Sequence, residues 1–209
     1  MAGGCAVSLN EGAGGHLNHA NLTVLLVVLT GCSASGLTEG EAQSTFEAVN
    51  TVTDDVVLLA RDAVEQGASA ELQVGDADGG FSIHGSAEEG ADWSGLVTID
   101  GAVEDEGDQV GYALDVALDQ VEVVNGPTLD GAIELLFTVD DFGTAAGSWS
   151  LEASLDGELD LSGAITGHAS LHYDLQLTID GWSISFTATG TINGYDVSGW
   201  HYSTSALAF

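Results

Sequence analysis

From about residue 80 onward, apolar and polar side chains alternate with a period of two. Val110, Tyr112, Leu114, Val116 and Leu118 are interleaved with Gly111, Ala113, Asp115, Ala117 and Asp119. The pattern repeats in Ile133–Val139, in Trp149–Leu155 with Leu159, Leu161 and Ile165 in the same phase, in Ala169–Ile179, and in Trp182–Ala188. Alternation over so many segments predicts antiparallel strands with one buried and one wet face. Asp-Gly pairs stand at 100–101, 130–131, 156–157 and 180–181. Tight primed turns need positive φ at both central positions, so this dipeptide predicts a hairpin turn at each place.

Upstream the period is that of a helix. Phe46, Val49, Val52, Val56, Leu59 and Ala63 recur at threes and fours, which places them on one helical face. Thr38 followed by Glu41 forms a capping box, in which hydroxyl and carboxylate satisfy the first free backbone donors. Gly67 is the predicted stop. The expected helix spans 38–67, with Asn50–Asp55 a weak stretch at which it could divide in two.

The expected fold is mainly β: an antiparallel up-and-down meander of eight to ten strands over 78–209, packed as one domain with the single N-terminal helix. A sheet of that width curls, and the helix is available to cover its apolar face. The result is a curved sheet or a partly open barrel.

A different apolar segment, Leu22–Leu29, precedes all of this and ends in Leu29-Thr30-Gly31-Cys32. It is about half the roughly 20 residues that a membrane-spanning helix requires. Its length and small-residue ending match the apolar core and cleavage site of an export signal. Leu29-Thr30-Gly31-Cys32 resembles the lipobox of bacterial lipoproteins. The resemblance implies a signal peptide over 1–31, cleavage between Gly31 and Cys32, and acyl chains on Cys32, followed by a short tether over 32–37. It also implies a bacterial cell-envelope protein held to the membrane through those chains, and Ser33 after the cysteine favours the outer membrane. Residues 1–21 contain no Lys or Arg, a departure from the usual basic start of such signals. The succession of lipobox, Thr-Glu-capped helix and Gly-punctuated strands ending Gly190-Thr191-Ile192-Asn193-Gly194-Tyr195-Asp196-Val197-Ser198-Gly199 is similar to acidic envelope lipoproteins of predatory and marine bacteria. That likeness implies no particular activity.

Charge narrows the partners. The chain has one basic residue, Arg61, against 33 acids, for a formal net charge of −32. Such a surface repels nucleic acid and anionic headgroups. The acids are interspersed with apolar residues, unlike a disordered acidic tail. They suit a hydrated surface in high external salt, where the Debye length falls to about 3 Å at 1 M; diffuse collection of divalent cations is the alternative. Cys5 and Cys32 are the only cysteines, so the mature chain has no thiol pair for a disulfide or metal site.

Candidate chemistry is sparse. His168, His172 and Asp174 share the polar face of one strand, and the two histidines are about 13 Å apart at 3.3 Å per residue. Only His172 with Asp174 is close enough to share a metal ion. Asp76-Ala77-Asp78-Gly79 resembles the start of a calcium loop but lacks the closing acid. Trp182, Tyr195, Trp200 and Tyr202 form an aromatic group suited to core packing, with a stacking platform for a flat ligand as the alternative. Arg61, beside Asp62 and four residues before Glu65, reads as a helix-surface ion pair. No catalytic set and no cofactor is expected. The expected role is a non-enzymatic, lipid-anchored envelope protein with a structural or binding function. The alternatives are a carrier of an apolar ligand between helix and sheet and, below it, a surface enzyme or an outer-membrane barrel.

Overall fold

The computed structural model describes residues 36–66, 71–77, 80–105, 109–140, 148–180 and 183–201, all within one compact unit, Cys32–Phe209. The lipidation and cleavage positions, Cys32 and Gly31, lie outside the described residues.

Helix α1 runs without a break from Glu39 to Gln66. Its start is the predicted capping box: the Thr38 amide donates to Glu41 Oε2 at 2.7 Å, and the Glu41 amide donates to Thr38 Oγ1 at 3.3 Å. The donated backbone hydrogen bond from Thr38 holds the Glu41 carboxyl below its usual range. The weak stretch at Asn50–Asp55 does not divide the helix, because tertiary burial of Val49, Val52 and Val56 overrides local propensity. Phe46, Val49, Val52, Val56 and Ala63 are fully buried as the periodicity predicts, and Leu59 packs at the margin.

Nine strands follow: β1 Leu72–Ala77, β2 Gly80–Glu89, β3 Trp93–Asp105, β4 Gln109–Val123, β5 Pro127–Asp140, β6 Ser148–Gly163, β7 Gly167–Asp180, β8 Ser183–Ile192 and β9 Tyr195–Asp196. They form one antiparallel sheet in sequence order, β1 to β9, with β1 and β9 as open edges. The fold is therefore the expected meander. Among the described residues it is not a closed barrel, and closure is what a membrane-spanning sheet requires. No helix among the described residues is long and apolar enough to cross a membrane.

Two expectations fail. The sheet begins at Leu72, not residue 78. Strand β1 has only one fully buried side chain, Leu72, so its alternation is too faint to read. More consequentially, three of the four Asp-Gly pairs read as hairpin turns are not turns. Asp100-Gly101, Asp130-Gly131 and Asp156-Gly157 lie inside β3, β5 and β6, and of these four only Asp180-Gly181 falls at a strand end. A two-residue turn with both central φ angles positive occurs instead at Asn193-Gly194 (φ 52° and 80°), joining Ile192 to its partner Tyr195.

The strand-interior glycines have a packing role. Each of these three strand-interior Asp-Gly pairs directs Asp to the open face and Gly to the face beneath α1. A β-carbon at Gly101 would stand 2.2 Å from the Ala113 carbonyl oxygen, and one at Gly157 2.5 Å from that of Ala132. Gly85, Gly131 and Gly190 are equally close to a neighbouring strand. Glycine in a strand interior marks close backbone approach and bending, and here it recurs on the helix-covered face of five strands.

The core lies between that face and α1. Phe46 contacts Tyr173 of β7 (ring centroids 5.3 Å apart) and meets Trp200 edge-on at 5.7 Å. Toward the other edge of the sheet, Asp55 accepts hydrogen bonds from the Ala91 amide (3.0 Å) and from Trp93 Nε1 (2.8 Å). Burial pushes the Tyr173 phenol far above its usual value, with the Asn50 side chain opposing the shift, so it is a neutral core group.

Candidate functional site

The face of the sheet opposite α1 is uncovered, and register turns its scattered acids into rows. His84 of β2 pairs with Asp100 of β3, Asp100 with Asp115 of β4, Asp115 with Glu134 of β5, Glu134 with Asp156 of β6, and Asp156 with His172 of β7. The same level continues to Gln73 on β1, Thr191 on β8 and Asp196 on β9. Four carboxylates thus stand on four adjacent strands, about 4.8 Å apart by strand spacing, with a histidine at each end. All six side chains are exposed. Like charges directly opposite one another destabilise a sheet by roughly 0.2–1 kcal/mol per pair, so this row is held against its own repulsion.

The levels on either side are small and mostly neutral. One contains Ser82, Ala102, Ala113, Leu136 and Ser154 before it reaches Asp174 on β7, and the other Ser86, Thr98, Ala117 and Ala132 before it reaches Glu158 on β6. From β2 to β5 the carboxylate row therefore stands clear of its surroundings. Around the exposed Leu136 there are two shallow open depressions: one of ≈ 410 Å³ reaching Glu152, Asp174, Gln176 and Thr189, and one of ≈ 200 Å³ reaching Ala102, Glu104 and Gly111.

Histidines provide the contacts that relieve the acids. His84 Nδ1 bonds Asp100, and His172 Nδ1 bonds Asp156. A third, His168, lies between two acids of β6: its Nδ1 is 3.0 Å from Asp160 Oδ1 and its Nε2 2.6 Å from Glu158 Oε2. Both ring nitrogens face carboxylate acceptors, an arrangement that only the doubly protonated imidazolium satisfies. The bond to Asp160 raises the His168 pKa above the usual value, with Glu158 adding to it, and the bond to Asp156 raises that of His172. The Ser170 hydroxyl also donates to Glu158, at 2.9 Å. Asn193 in the β8–β9 turn ties the same corner together through the His168 carbonyl (2.8 Å) and the Ser170 amide (2.7 Å).

The residues singled out from sequence are distributed as follows. His172 and Asp174 do lie on the open face of β7, but His172 turns to Asp156 across the strand pair. No group of three or more His, Cys, Asp or Glu side chains that could hold a metal ion occurs among the described residues. Asp76 is exposed at the end of β1, paired with Phe81, and Asp78 lies outside the described residues. Tyr195 and Trp200 are half-buried and serve the core, Tyr195 by donating to the Leu37 carbonyl at 3.1 Å and Trp200 by packing on Phe46. Trp182 and Tyr202 lie outside the described residues. Arg61 pairs with Asp62 at 3.2 Å and Glu65 at 3.7 Å, as the helix spacing predicts.

The carboxylate row was missed in the sequence because it depends on register. Reading Asp-Gly as turns places Asp100 and Asp156 at strand ends, where they cannot share a level with Asp115 and Glu134. The usable signal was the unbroken period of two through Ser148–Gly163, which favours one long strand over two short ones.

Comparison with protein-family models, with curated proteins and with solved structures finds no match for this chain.

Proposed function

We propose that this chain is a lipid-anchored bacterial envelope protein, acylated on Cys32 and displaying the helix-backed acidic sheet in a structural or binding role. The observation that carries the reading is the apolar run ending in Leu29-Thr30-Gly31-Cys32. The start of the folded part is consistent with it: Leu37 is buried and α1 begins at Glu39, seven positions after Cys32. Acyl chains contribute about 0.8 kcal/mol per buried CH₂, and stable anchoring takes more than one, which a multiply acylated cysteine supplies. The highly acidic surface suits an aqueous, salt-rich exterior and disfavours anionic headgroups, so attachment falls to the lipid and not to the protein surface. The proposed location is the outer membrane.

The test is expression of the full chain in a bacterium fed a labelled fatty acid. Label should enter the wild type and be lost in Cys32→Ala, which should also leave the membrane fraction. A labelled Cys32→Ala chain, or wild type with no label, would overturn the proposal.

A further inference from the structure

We propose that His168 and His172 are the sheet's own counter-cations, a proton-operated brace that tightens the β6–β7 pairing in mild acid and loosens it as pH rises. The chain has no lysine, and its single arginine is committed to the helix surface. The open face carries rows of acids with no permanent cation of their own among the described residues. Three of the four described histidines are inserted into those rows, each across a strand pair and each against a carboxylate. The fourth, His201, follows Trp200 at the exposed end of the described chain.

The surroundings of His168 and His172 favour the cation. His172 meets Asp156 from β6 and Thr191 from β8, with Asp174 two residues along its own strand. His168 meets Glu158 and Asp160 from β6, and Asn193 from the β8–β9 turn. No positive group faces either ring among these neighbours. With His172 neutral, the central row is four adjacent negative charges; with it protonated, the β6 end of the row becomes an ion pair.

The sign follows from linkage. A histidine whose pKa is higher in the folded state contributes stability that is fully present below its unfolded value, near 6.5, and is lost as pH rises through the folded value. His168 and His172 are shifted in that direction. Between pH 6 and 8 ordinary carboxylates stay ionised, so histidine dominates the change.

The experiment is thermal unfolding of the full chain in low salt at pH 6 and pH 8. The wild-type Tm should be higher at pH 6 by on the order of 5 °C, at a few degrees per modest stabilisation for a chain this size. His168→Gln and His172→Gln combined should remove most of that difference, and His201→Gln should preserve it. A wild-type Tm that is flat or lower at pH 6, or a double variant with the wild-type pH response, would overturn the proposal. If the double variant does not fold, imidazole NMR titration of the wild type decides: His168 and His172 should have midpoints above the ordinary value near 6.5. Midpoints at or below it would overturn the brace.

Discussion

The two faces of the sheet are built on opposite principles. Beneath α1, levels such as Ile99, Val116, Ile133 and Leu171 pack tightly, and glycines open space where a neighbouring backbone comes close. On the other side the same strands carry Asp100, Asp115, Glu134 and Asp156 in one row. The covered face is specified by volume, and its energy depends little on salt or pH. The open face is specified by charge and hydrogen bonds, so the solution sets its energy. In β3 and β6 a single Asp-Gly step serves both, with Asp100 and Asp156 in the row and the glycine at the close backbone contact; in β5 Asp130 stands at another level, opposite Asp160.

The largest effect expected on either face is at the helix. Phe46→Ala removes a fully buried ring that touches Tyr173 and Trp200 and should cost about 3–5 kcal/mol; equilibrium denaturation measures it, and a loss below about 1 kcal/mol would mean that α1 is not anchored there. Next is Gly157→Ala, whose added methyl would lie 2.5 Å from the Ala132 carbonyl. Overpacking of that kind costs about 1–3 kcal/mol. A neutral result would show that no backbone stands that close to position 157 and would remove the packing role of this glycine.

The smallest effect has the opposite sign. Asp115→Asn removes the acid opposed by Asp100 on one side and Glu134 on the other. It should stabilise by about 0.2–1 kcal/mol in low salt. Because screening shortens with ionic strength, the gain should vanish near 1 M NaCl. Destabilisation at low salt would show that the carboxylate makes contacts that outweigh the repulsion.

Much of this architecture was legible in the residues themselves. Thr38 and Glu41 announce the helix start because a cap is a local hydrogen-bond exchange. The apolar stripe from Phe46 to Ala63 and the period of two in Val110–Leu118 announce helix and strand because burial selects every third, fourth or second residue. The mainly β meander with one covering helix follows from those periods. Only the tertiary structure decided which residues meet. A strand shifted by one residue presents the opposite face, and one shifted by two presents the same face with different partners. Asp100, Asp115, Glu134 and Asp156 therefore become neighbours through the register of four strands alone. The same holds for His168 between Glu158 and Asp160, and for Tyr195 reaching the Leu37 carbonyl. Periodicity reports which side of an element is wet, a property of one segment. The pairing of charges across strands belongs to several segments together, and no single stretch of sequence carries it.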